Sequence, residues 1–166
     1  MNMEKLSVLL RGALAEMRTL LFELRSDRHQ GQSLEKLLTA LVESMRARTE
    51  VVISLTVNGD HDLPEDVTQV FYRIAREALN NVIVHAEAAH VSIFTHNKPH
   101  RAELHIQDDG RGFDLQEVDA GHLGINIMSE RAAKIGGALQ IKSTPGLGTE
   151  IIAIWPGNEM ESSEHG

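Results

Sequence analysis

Three polar side chains, Glu77, Asn81 and His85, stand four residues apart in a stretch whose other periodic positions are apolar. Val67, Val70, Phe71, Ile74 and Ala78 set a helical stripe there. At about 100° per residue, Glu77, Asn81 and His85 fall on or beside that stripe. A carboxylate, a carboxamide and an imidazole thus extend a core-facing row. Burying a carboxylate without a partner is costly, so such a row should border a polar cavity, a metal or a ligand. The alternative is an ordinary helix end where the stripe emerges into water.

Three further segments carry glycines where a ligand could approach the backbone. Asp108-Asp109-Gly110-Arg111-Gly112-Phe113 follows a strand; its glycines permit positive φ, and the leading carboxylate can accept from an exocyclic amine. Gly121-His122-Leu123-Gly124 stands directly before a helix, where free N–H groups and the positive dipole end suit an anion. Gly146-Leu147-Gly148-Thr149 leads into the last strand and brings a hydroxyl at Thr149. Taken singly, each reads equally as a tight turn, a loop-to-helix junction or a hairpin.

The elements that must position these groups are legible from periodicity and punctuation. Ser33 can cap a helix buried through Leu34, Leu37, Leu38, Leu41, Val42 and Met45. Val51, Ile53, Leu55 and Val57 alternate as a half-buried strand, closed by Asn58-Gly59-Asp60. Pro64 suits the first turn of the helix bearing Glu77, which runs to about Ala86. Strands from His90 to Thr95 and from Arg101 to Asp108 are joined by a turn around Lys98-Pro99. A helix through Met128 and Ala132 stops at Gly136-Gly137. Two last strands, Leu139 to Ser143 and Thr149 to Trp155, flank a turn at Pro145-Gly146. The predicted fold is α+β: a two-layer sandwich with a mixed, mostly antiparallel sheet covered on one face by helices.

One long helix is expected ahead of this domain. Met3, Leu6, Leu10, Ala13, Met17, Leu20 and Leu24 follow three-four spacing, the pattern of a coiled-coil or bundle seam. Leu9, Leu14 and Leu21 widen the stripe, which favours half of a hairpin or an oligomer stalk over a helix packed on its own domain. The expected division is residues 1–26 for this helix, 27–33 for a linker, 34–156 for the domain and 157–166 for a polar, disordered tail.

Bulk composition narrows the function. Lys and Arg number 16 against 24 Asp and Glu, a formal net charge of −8, which argues against general nucleic-acid binding. Only 4% of residues are aromatic, too few for a base-stacking surface. The chain has no cysteine, so disulfides and Cys-based zinc sites are excluded. His96 and His100 flank a proline turn and do not share a helix face as metal ligands would. No apolar run approaches the roughly 20 residues that span a bilayer, so a cytoplasmic location is expected, with a membrane anchor conceivable in a longer parent.

In combination and order the four segments resemble the N, G1 and G2 boxes of the GHKL (Bergerat-fold) ATPases: Glu77-x-x-x-Asn81, Asp108-x-Gly-x-Gly, Gly121-x-Leu-Gly124, then Gly148-Thr149. The resemblance runs from about Ser33 to Pro156. Within that superfamily, Arg76-Glu77-Ala78-Leu79-Asn80-Asn81 with His85-Ala86, and Met128-Ser129-Glu130-Arg131-Ala132, look like sensor histidine kinases. They look like the class with a short ATP lid (Phe113 to Ala120 here) whose response regulators usually carry helix-turn-helix outputs. Ala13 to Arg25 resembles the second helix of that family's dimerisation and phosphotransfer hairpin.

The resemblance implies ATP and Mg²⁺ as ligands. Asp108 would bind the adenine amino group, with Thr149 supporting through a shared water. Asn81 would coordinate Mg²⁺, and Glu77 would polarise the nucleophile or order the metal's water shell. Asn80 and His85 would line the nucleotide pocket, Gly110 and Gly112 would let the backbone approach adenine, and Gly121, His122, Leu123 and Gly124 would cradle phosphate. Val84 stands where relatives often carry a lysine, and the Gly121–Gly124 hinge has one glycine fewer than the fuller family pattern. The family's acceptor histidine belongs to a His-Asp motif on the hairpin's first helix, and no such motif precedes residue 13; His29 lies in a polar turn. The implied function is an ATP-binding catalytic fragment that donates the γ-phosphate to a histidine outside this chain, with a response regulator downstream and a homodimer through the N-terminal helix. The alternatives are a hydrolase of the gyrase or mismatch-repair type and a non-catalytic nucleotide-binding module.

Overall fold

A computed structural model of the chain describes residues 31–59, 62–98, 101–117 and 123–157. The expected N-terminal seam helix, Pro99-His100, the segment with Gly121 and His122, and the tail from residue 158 lie outside the described residues.

Helix α1 (Leu34–Arg46) starts where the Ser33 hydroxyl accepts from the Lys36 amide at 3.4 Å, the predicted cap. Its leucine stripe is buried as the spacing requires, through Leu34, Leu37, Leu38, Leu41 and Val42. Strand β1 (Val52–Asn58) leads to helix α2 (Glu65–Asn81), whose first turn closes from the Thr68 amide onto the Pro64 carbonyl at 2.9 Å. At Val82–Ala86 the helix widens into one π-helical turn, and Glu87 then exits with a left-handed φ of 54°. Strands β2 (His90–Lys98) and β3 (Arg101–Asp108) follow. Helix α3 (Leu123–Lys134) ends just before Gly136, whose φ of +69° makes the expected stop. Strands β4 (Ala138–Thr144) and β5 (Gly148–Trp155) complete the fold. β2 runs three residues past its predicted end because Asn97 and Lys98 still pair with Ala102 and Arg101.

The five strands lie in the order β1-β2-β3-β5-β4. β1 and β2 are parallel and the other three pairs antiparallel, so the sheet is mixed and mostly antiparallel. The three helices pack on one face, with α1 against β1, α2 against β3 and β5, and α3 against β4 and β5. The parallel pair needs a crossover, and α2 supplies it. Between the layers sit Leu37, Leu38, Phe71, Ile74, Leu79, Ile93, Leu104 and Met128, each under 2% exposed. Each such side chain contributes roughly 1.5–3 kcal/mol from burial. On the opposite face Phe94, His105 and Ile152 stand in register across β2, β3 and β5. The rings of Phe94 and His105 meet edge to face at 5.8 Å, and Ile152 is only 8% exposed beside them.

This architecture places both ends of the candidate chemistry at one rim of the sandwich. Asp108 closes β3, and its register partners are Val91 on β2 and Thr149 on β5.

Candidate nucleotide-binding site

The polar row on α2 leaves the core one step at a time. Val67, Phe71, Ile74 and Ala78 are buried and Val70 is partly so. Glu77 and Asn81 are half-buried, and His85 is exposed on the π turn. Asn80, about 100° around the helix from Asn81, is exposed. Glu77 and Asn81 thus line the rim of the core, and His85 reaches solvent. The π turn keeps Val82 buried while turning Val84 out, 60% exposed. Burial holds the neighbouring Arg76 guanidinium below its ordinary value, against the opposing influence of Tyr72 and Glu77.

Helix α3 begins against this row. A Cβ added to Gly124 would lie 2.7 Å from Glu77 Oε1, so only glycine lets the second residue of α3 sit on the Glu77 carboxylate. The first turn of α3 is thus brought beside Glu77. Leu123 opens α3, and Gly121 and His122 lie outside the described residues.

Asp108 is 8% exposed, and its Oδ1 accepts from the Gly110 amide at 2.8 Å. Burial pushes this carboxyl above the usual aspartate value, against hydrogen bonds from the Gly110 and Thr149 amides that favour the ionised form. Gly110 is required by the protein itself: a Cβ there would fall 2.3 Å from the Ala86 carbonyl. Gly112, with φ +57°, likewise backs onto the Thr144 and Gly148 carbonyls. Close backbone packing within the chain thus accounts for glycine at both positions.

Asp109 ties the Asp108 loop to the end of α2. Its Oδ1 accepts from the Ala89 and His90 amides, each at 2.8 Å. Its Oδ2 meets His90 Nδ1 at 2.7 Å. These bonds, led by the His90 amide, hold the Asp109 carboxyl below its ordinary value. The Arg111 amide adds a bond to the Ala86 carbonyl at 2.7 Å. The segment carrying Asn81 and His85 and the segment carrying Asp108 are therefore fastened to each other through residues 86–90 and 109–111.

The Thr149 side chain has a partner on β4. Its hydroxyl is 2.9 Å from Ser143 Oγ, which also receives the Phe113 amide at 2.9 Å and lies 3.2 Å from the Gly148 carbonyl. Asp109 and Ser143 are the residues that the motif reading passed over. For Ser143 a signal was present, since a hairpin turning at Pro145-Gly146 sets residue 143 opposite 149.

Among the described residues no cluster of three or more His, Asp or Glu side chains forms a ready metal site. Glu77 and Asn81 offer hard oxygen donors, which fits a Mg²⁺ that takes its other ligands from phosphates and water.

A helix-covered mixed sheet with an Asp-bearing glycine loop facing a Glu/Asn helix defines an ATPase class, and comparison with known proteins agrees. Residues 65–159, more than half of the chain, match the family described as histidine kinase-, DNA gyrase B-, and HSP90-like ATPase, and the chain belongs to that family. Sensor histidine kinase LiaS of Bacillus subtilis (strain 168) is 35% identical over 155 residues, taking in 89% of this chain and 43% of that protein. Sensor protein VraS of Staphylococcus aureus (strain COL) is 31% identical over 147 residues, 89% of this chain and 42% of that protein. The chain thus spans less than half the length of these relatives. Among solved structures, mycobacterial sensor histidine kinase MprB matches 78% of this chain and 97% of that chain, with a TM-score of 0.58 and 22% identity. The histidine kinase domain of a blue-light activated histidine kinase from Erythrobacter litoralis matches 74% of this chain and 58% of that chain, with a TM-score of 0.58 and 20% identity. At such identities the structural likeness speaks for the fold.

Proposed function

We propose that this chain binds ATP with Mg²⁺ at the rim formed by α2, the Asp108–Phe113 loop and the start of α3. In this reading it passes the γ-phosphate to a histidine on a helical hairpin of a two-component sensor kinase, with a response regulator as the next acceptor. The observation that carries the reading is the buried Asp108 carboxylate fastened, through Asp109 and Arg111, to the helix bearing Glu77 and Asn81. Residues 34–156 are the ATP-binding unit. The domain works on cytoplasmic ATP; among the described residues no helix is long and apolar enough to cross a membrane.

The residues divide the work by chemistry. Asp108 accepts from the adenine amino group, and Thr149 supports it from the neighbouring strand. Asn81 gives a carboxamide oxygen to Mg²⁺. The metal, when bound, neutralises charge on the phosphates. Leu123 and Gly124, which open α3, bring helix N-terminal amides to the phosphates. Glu77, pressed against α3, orients the attacking imidazole or the water around the metal. Asn80 and His85, both exposed, belong to the outer wall of the site at most. Positioning and charge neutralisation account for most of such catalysis, because phosphoryl transfer asks little covalent chemistry of the protein.

Calorimetric titration with ATP, with and without Mg²⁺, tests the binding half. Asn81→Ala should weaken only the Mg²⁺-dependent part, and Asp108→Ala should weaken binding in both conditions by roughly ten-fold or more. Adding a histidine-bearing hairpin with γ-labelled ATP tests the transfer half. Label on the hairpin is the expected result. Wild-type affinity in both variants, or phosphate released to water with the hairpin unlabelled, would overturn the reading.

A further inference from the structure

The hydrogen-bond directions around Ser143 can be settled by counting hydrogens. Ser143 Oγ has three polar neighbours: the Phe113 amide at 2.9 Å, the Gly148 carbonyl at 3.2 Å and Thr149 Oγ1 at 2.9 Å. A hydroxyl has one hydrogen to give and two lone pairs to receive with. An amide N–H only donates and a carbonyl oxygen only accepts. A single assignment satisfies all three contacts: Ser143 donates to Gly148 and accepts from both Phe113 and Thr149. The one hydrogen of Thr149 is then committed to Ser143, and Thr149 Oγ1 presents lone pairs alone to the site. Its register partner is Asp108, whose ionised carboxylate also only accepts.

We propose that Ser143 is a specificity-positioning residue: by holding the Thr149 hydroxyl turned inward, it makes the base-reading edge of the site accept-only, selecting a purine with a 6-amino group over one with a 6-oxo group. The inference deepens the ATP reading above and rests on it. A 6-amino group brings two hydrogens to an edge made of acceptors. A 6-oxo group brings none, and it must leave its bonds to water without replacement. With Ser143 removed, the Thr149 hydroxyl is free to rotate and donate to an oxo group. Discrimination should then fall.

ATP and inosine triphosphate differ in that exocyclic group and in the N1 hydrogen that goes with it, so their ratio of dissociation constants is the readout. Wild-type chain, Ser143→Ala and Ser143→Thr are titrated with each nucleotide. Ser143→Ala should lower the preference for ATP about three- to ten-fold, the scale of one hydrogen bond. Ser143→Thr keeps the hydroxyl and should restore it. A purely structural role, through the lost Phe113 partner, would weaken both nucleotides alike and leave the ratio unchanged. In a Thr149→Val background, Ser143→Ala should leave the ratio where Thr149→Val alone puts it. Should the alanine variant not fold, Ser143→Cys, whose thiol is a weak acceptor, should shift the ratio in the same direction. If the wild-type chain does not bind ATP, the nucleotide reading itself fails. If it binds ATP and the substitutions at 143 leave the ratio untouched, the assignment of Ser143 alone is overturned.

Discussion

At the scale of single residues, two adjacent aspartates are set to opposite purposes by their surroundings. Asp108 is buried at the end of β3, and that burial raises its carboxyl above the usual value. Asp109, beside it on the outside, gathers the Ala89 and His90 amides and the His90 ring, and is held low. The sign for Asp108 follows from linkage: the folded chain takes up its proton more readily than the unfolded chain. Its contribution to stability is therefore present below the ordinary aspartate pKa and lost as pH rises through the raised one. In the proposed role of Asp108, nucleotide binding runs the other way, because only the ionised carboxylate has its full accepting capacity. ATP affinity should fall on acidification at a higher pH than an ordinary aspartate would dictate. Titrating affinity against pH for the wild type and for Asp108→Asn checks this, since the comparison cancels the titration of the phosphates. Parallel profiles in the two proteins would count against the role of Asp108.

At the scale of elements, the contact between α3 and α2 is the one the proposed transfer would depend on. Gly124 and Glu77 meet so closely that an added methyl group would displace the carboxylate, the mobile end of a flexible side chain. Gly124→Ala should therefore be tolerated by the fold, with a change in stability within about 1 kcal/mol because alanine also favours the helix. ATP binding should persist while the rate of phosphate transfer drops. Gly112→Ala is the contrast: a φ of +57° and the Thr144 carbonyl only 2.1 Å from the new Cβ position leave no relief. A loss on the order of 2 kcal/mol or more is expected there. Urea unfolding together with single-turnover transfer separates the two cases. Equal destabilisation by both substitutions would contradict this account.

At the scale of the whole molecule, stability rests on the layer between sheet and helices. Phe71 lies in it with none of its surface exposed, on the buried stripe of α2 that leads toward Glu77 and Asn81. Phe71→Ala should cost about 3–5 kcal/mol, read as a lowered urea midpoint with little change in slope. A loss under about 1 kcal/mol would mean that the core is not organised around this helix. The same packing joins stability to function, because α2 is both the crossover between β1 and β2 and the carrier of the polar row.

The sequence by itself determined the elements and placed most of the candidate site residues on them. The leucine spacing of α1, the stripe of α2, the alternation of the strands and the glycine punctuation each act locally, through helical period, pleat and permitted φ. Those local rules put Glu77 and Asn81 on one face, Asp108 at a strand end and Thr149 at the start of β5. Tertiary structure alone decided what those groups touch. The fastening of residues 86–90 to 109–111, the seating of Gly124 on Glu77 and the turning of Thr149 toward Ser143 all join positions at least six residues apart. Such contacts depend on sheet order and register, which arise from packing the whole layer and leave no period in the chain. The motifs at Asp108 and on α2 were therefore readable only separately, and the fold joined the segments that carry them.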